Sequence, residues 1–107
     1  MDEIKINEML TPHRAEIDRL DREIIALLGK RFDVVHAVGE LKAKHGISPV
    51  QSKRMQIVLD RVAALAQDHH LDPVFVQNLY RLMIDHAHSL EFSVADIAPD
   101  TEGSSNE

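Results

Sequence analysis

The sequence predicts an all-α protein with three helices per chain, one of them very long. Two observations carry that prediction. Residues of N-cap type stand before proline at Thr11-Pro12, Ser48-Pro49 and Asp72-Pro73. That pairing opens helices, because the N–H that proline lacks would have no partner there anyway. Behind each pair, apolar residues recur three and four positions apart, and no stretch alternates apolar with polar as a half-buried strand would.

The first helix is predicted from Pro12 to Lys44, with His45-Gly46 as its stop. The second is predicted from near Pro49, or a turn later, to about Gln67, and the third from Pro73 to about Phe92. Residues 1–9 are expected to be flexible, 10–93 to form one helical domain, and the acidic segment 94–107 to be disordered. At 1.5 Å per residue the first helix would be about 50 Å long, beyond the diameter of a compact domain of this size. The two shorter helices cannot cover both of its ends. An intertwined homodimer, with two long helices interleaved and swapped closure, is the simplest way to bury its apolar stripe.

The charge balance narrows the partners. Eighteen acidic residues face twelve basic ones, for a net charge of −6. No basic stripe exists to neutralise a phosphate backbone, so nucleic acid is not expected. A small anion remains open, because local placement matters more than net charge. Cysteine is absent, which removes disulfides and thiolate chemistry. No apolar run is long enough to span a membrane, and the N-terminal stretch lacks the features of a signal peptide, so a cytoplasmic location is expected.

Three cations lie on or beside the apolar seam of the long helix: Arg14, Arg31 and Lys42. Arg31 interrupts a run of Ile17, Leu20, Ile24, Leu27, Leu28, Val34, Val35, Val38 and Leu41. Lys42 follows it by about three turns and points the same way. One such residue would be read as a long side chain reaching water from the edge of the seam. Three along one helix favour an anionic ligand, because a buried cation is costly without an anion. Arg14 and Arg31 are roughly 25 Å apart along the axis. In an antiparallel dimer, Arg14 of one chain can approach Arg31 and Lys42 of the other. Two guanidinium groups beside an ammonium suit a compact dicarboxylate. Arg54 on the second helix could add a cation and Glu91 on the third an acid.

These residues carry a resemblance. The stretch RAEIDRLDREIIALLGKRFDVVHAVGELKAKHG, the arginine of QSKRMQIVLDR, and HHLDPVFVQNLYRLMID together resemble the all-helical chorismate mutases, over about residues 10–93. The resemblance implies a dimer of intertwined three-helix subunits with two shared active sites and no cofactor. It implies that Arg14 of the partner subunit and Arg31 bind the two carboxylates of chorismate. Lys42 would donate to the ether oxygen, and Arg54 would complete the cationic pocket. The implied reaction is the [3,3]-sigmatropic rearrangement to prephenate, which needs no nucleophile, base or metal.

Three departures from the family pattern bear on the chemistry. Where many members carry glutamine as the second donor to the ether oxygen, this chain has Glu91. Only the protonated acid can donate. Activity is therefore expected to fall as pH rises through the titration of Glu91, and Glu91→Gln to flatten that fall. Gln51 and Met55 stand where the pattern has acids near the 4-hydroxyl of chorismate. The segment KHGISPVQSKR also resembles 4-amino-4-deoxychorismate mutases, which rearrange the amino analogue. Ala87 replaces a serine that helps to hold a carboxylate, so KM is expected to suffer more than kcat.

Chorismate is the expected substrate, followed by the 4-amino analogue. Isochorismate pyruvate lyase comes third, because the loop from Lys42 to Arg54 has mutase length. A non-catalytic helical dimer is the reading from another class. The histidines do not suggest a metal: His86 and His88 face different directions on a helix, His69-His70 fall in a turn, and His13, His36 and His45 are expected to have no close acidic or histidine partner at i+4. The exposed acids Glu16, Asp18, Asp21 and Glu23 read as helix surface that pairs with nearby arginines.

Overall fold

The computed structural model describes residues 1–97. Its elements are α1 (Glu3–His45), α2 (Ser52–Asp68) and α3 (Pro73–Ile97), and there is no strand among the described residues. The chain divides into two units, Met1–Asp33 and the part from Val34 onward.

The first unit is helix. The α1 helix starts at Glu3 and not at Pro12, because a different cap is available. The Asp2 carboxylate accepts the Lys5 N–H at 2.9 Å, and the Asp2 carbonyl accepts the Ile6 N–H at 3.1 Å. Asp2 is thus the N-cap, satisfying donors that a helix start leaves open. Thr11 does not cap. Its hydroxyl donates back to the Asn7 carbonyl at 2.6 Å, and Pro12 is carried inside the helix. Ile17, Leu20, Ile24 and Leu27 are all exposed in the single chain.

The second unit holds the core. Val58, Leu59, Val62 and Ala66 of α2 meet Val76 and Ile84 of α3, with Met55 and Tyr80 packed at the margin. The spacing of the α2 residues is the 3–4 repeat that makes one apolar stripe. Gln77 on α3 spans the two helices, its Nε2 donating to the Leu59 carbonyl at 3.1 Å.

Helix starts and stops here follow local chemistry. The start of α3 agrees with the sequence: the Asp72 carboxylate accepts the Val74 N–H at 2.9 Å. The start of α2 takes the later of the two expected positions. Gln51 is its N-cap in an extended conformation, with no side-chain cap. Ser48 instead closes a small loop turn, with its Oγ 3.3 Å from the Val50 N–H. The α3 helix runs five residues past Phe92, since nothing in Ser93–Ile97 breaks a helix. The remainder of the expected tail, 98–107, lies outside the described residues.

Both α1 and α2 end in the same motif. After α1, the Ile47 N–H reaches the Lys42 carbonyl at 2.8 Å and the Gly46 N–H reaches Ala43, with Gly46 at φ +66°. After α2, the Leu71 N–H reaches Ala66 at 2.8 Å and the His70 N–H reaches Gln67, with His70 at φ 59°. This pair of bonds is the Schellman arrangement, which requires one left-handed residue. Glycine takes that conformation without strain at Gly46, whereas His70 takes it against its Cβ.

Candidate active site

The second unit brings together Lys42 from the end of α1 and Glu91 from α3. The Lys42 Nζ lies 2.8 Å from Glu91 Oε1, and both side chains are largely shielded, 16% and 7% exposed. The same ammonium donates to the Pro49 carbonyl in the loop before α2, at 3.0 Å. Oε1 is buried without a hydrogen-bond partner. The approach of Lys42 is therefore a close contact and not a directed N–H···O bond. Isolated, either charge would be costly at this depth. A solvated surface position for Glu91 is ruled out by its burial, 5% exposed as a residue.

Gly39 makes this meeting possible. It is the buried residue of α1, and it lies one turn before Lys42, on the same side of the helix. A Cβ added at Gly39 would stand 3.1 Å from Glu91 Cγ and 3.3 Å from Glu91 Cα. The two helices thus approach at a point where α1 has no side chain. The sequence reading passed over Gly39 as a site residue, although a glycine inside an apolar seam, three positions before a seam lysine, was the available signal.

The other expected residues fall as follows. Ala87 is buried one turn before Glu91 on α3, 7% exposed. Gln51 and Arg54 are exposed at the start of α2, and Met55 is half-buried against the core. Arg31 and Arg14 belong to the first unit: Arg31 is half-buried and Arg14 exposed. Arg14 Nη1 donates to the Asn7 side chain at 3.0 Å. Arg19 pairs with both Glu16 and Glu23, as the surface-acid reading expected. His36 faces Glu40 one turn on at 3.7 Å, which corrects the expectation that it has no acidic partner at i+4. Among the described residues no cluster of three or more His, Cys, Asp or Glu side chains could hold a metal ion.

Comparison with known proteins gives this arrangement a family. Residues 13–92 match the family model described as chorismate mutase type II. The chain belongs to the chorismate mutase type II family. It is therefore an enzyme of isomerase type, and the resemblance read over about residues 10–93 is borne out. Chorismate mutase type II relatives differ in the substrate their names state. The chain is 38% identical over 71 residues to a 4-amino-4-deoxychorismate mutase of Streptomyces venezuelae, covering 66% of this chain and 69% of that protein. It is 27% identical over 84 residues to a chorismate mutase of Methanocaldococcus jannaschii, 78% of this chain and 85% of that protein. An isochorismate pyruvate lyase of Pseudomonas aeruginosa is 35% identical over 71 residues, 66% of this chain and 69% of that protein. No helix among the described residues is long and apolar enough to cross a membrane.

Proposed function

We propose that this chain is a cytoplasmic chorismate mutase that rearranges chorismate to prephenate, as an intertwined homodimer with two shared sites. The observation that carries the reading is the buried Lys42–Glu91 pair, whose Glu91 Oε1 lacks a directed partner. An ammonium and a carboxylic acid side by side can both donate to one oxygen. That is what an ether oxygen gaining negative charge in the transition state requires. Glu91 acts in its protonated form. Arg31 and the partner's Arg14 hold the two carboxylates of the substrate, and Arg54 adds positive charge at the start of α2.

The energetics are adequate without a nucleophile. A million-fold acceleration needs about 8 kcal/mol. Charge-assisted hydrogen bonds contribute about 1.5–3 kcal/mol each, and holding the substrate folded for bond formation supplies the rest. The homodimer is supported by the exposed apolar residues of the first unit. In that unit α1 alone is about 45 Å long. A role in aromatic amino-acid synthesis fits the bifunctional chorismate mutase/prephenate dehydratase relatives.

A second reading has its own support. Gln51 and Met55 stand where the family pattern has acids, and two relatives are named 4-amino-4-deoxychorismate mutase. The deciding experiment is parallel turnover of chorismate and 4-amino-4-deoxychorismate, following loss of the diene absorbance and identifying the products. Higher kcat/KM on chorismate supports the first reading. Higher kcat/KM on the amino compound replaces it with the second, and turnover of neither overturns both.

A further inference from the structure

We propose that Gly39 is a positioning residue for Glu91. By lacking a side chain, it sets the distance between α1 and α3 that brings the Glu91 carboxyl to Lys42. This inference rests on the proposed role of Glu91 and deepens it.

Three observations point the same way. The three atoms nearest to a Cβ added at Gly39 all belong to Glu91: Cγ at 3.1 Å, Cα at 3.3 Å and Cβ at 3.5 Å. Gly39 and Lys42 are one turn apart on α1, so the turn that supplies the ammonium also supplies the gap. The third observation is a contrast. At Gly29, earlier on the same helix, an added Cβ meets nothing within 4 Å. Glycine costs a helix interior stability relative to alanine wherever it stands. Only at Gly39 is that cost matched by a contact, and the contact is with the acid of the site. Adding a methyl there pushes against the Glu91 backbone as well as its side chain, so rotating the side chain cannot absorb it. The helices must part by a few tenths of an ångström, and the carboxyl leaves its place beside Lys42.

The test is Gly39→Ala, made alone and together with Glu91→Ala, with kcat, KM and melting temperature measured for each. A displaced donor acts in the transition state. The single variant is therefore expected to lose about ten- to a hundred-fold in kcat, with KM changed less than about three-fold. In the Glu91→Ala background the carboxyl is already gone, and Gly39→Ala is expected to change kcat less than about two-fold further. An equal fold-loss in both backgrounds would mean a general distortion of the helix pair and would overturn the proposal, as would no loss in the single variant. If Gly39→Ala does not fold, the double variant decides. Recovery of a melting transition on trimming Glu91 supports the proposal, and continued unfolding overturns it. If the unaltered enzyme turned over neither substrate, the role of Glu91 would fail. The melting temperatures would still show whether Gly39 and Glu91 are coupled.

Discussion

Lys42 and Arg14 are cations of the same helix in opposite circumstances. Lys42 is shielded, donates to a loop carbonyl and faces a buried acid on α3. Arg14 is exposed, and its hydrogen bond to Asn7 reaches back along its own helix. The apolar residues divide in the same way: Ile17, Leu20, Ile24 and Leu27 are exposed, while the second unit has a packed core. The contrast teaches that one chain brings Lys42 and Glu91 together by itself. On the proposed reading, a second copy supplies the Arg14 that completes the grip on the carboxylates.

The contrast can be broken at either end. The largest effect belongs to the donor half: Lys42→Met should lower kcat by about 100- to 1,000-fold, the usual result of removing a donor to a developing oxyanion. Steady-state kinetics would check it, and an unchanged kcat would remove Lys42 from the chemistry. The gripping half is tested by complementation. Arg14→Ala and Arg31→Ala should each lose about 100-fold in kcat/KM. Unfolded together at equal amounts and refolded, they should regain about a quarter of the unaltered activity, because half of the random dimers are mixed and each holds one intact site. No recovery would mean that both arginines serve the site from one chain.

A third prediction concerns pH. Only a protonated carboxyl can donate, so on the proposed role of Glu91 kcat should decline from acid to alkaline pH. Glu91→Gln, whose amide donates at any pH, should flatten that fall. A pH profile identical in both proteins would refute the role given to Glu91.

Two smaller effects sharpen the picture of the scaffold. His70→Gly should raise stability by about 1 kcal/mol, by relieving the left-handed strain after α2. Gly46→Ala should lower it by a similar amount at the matching position after α1, and thermal melts would report both. The smallest effect is at Glu16. Its pairing with Arg19 holds its carboxyl below the ordinary range. The stabilisation this represents is present above the unfolded-state value and disappears as pH falls through the lowered one. Both groups are solvent-exposed, so Glu16→Gln should leave the melting temperature at neutral pH unchanged within error.

Much of the scaffold was legible because caps are local. Asp72 announced α3, and Gly46 announced the end of α1. The start of α1 was misread because Thr11-Pro12 has the form of a cap. Only the competing Asp2–Lys5 bond, nine residues earlier, shows that the helix is already running. In the site, the charged residues stood out because a cation in an apolar seam is costly. Two features were invisible in residue types alone. A backbone carbonyl, that of Pro49, serves as a partner of Lys42. A missing side chain, at Gly39, sets a distance. Both depend on which helices meet, which spacing along one helix does not encode.

The order in which the chain is made gives the long α1 another consequence. Each of its backbone hydrogen bonds spans four residues, so on leaving the ribosome it can form within about a microsecond. The core cannot form until Ile84 has been added. At about 5–20 residues per second, synthesis from the end of α1 to that point takes roughly 2–8 s. For that interval a finished helix stands with its apolar face in water. Nascent-chain chaperones should therefore engage this protein through Ile17–Leu28, before α2 and α3 exist.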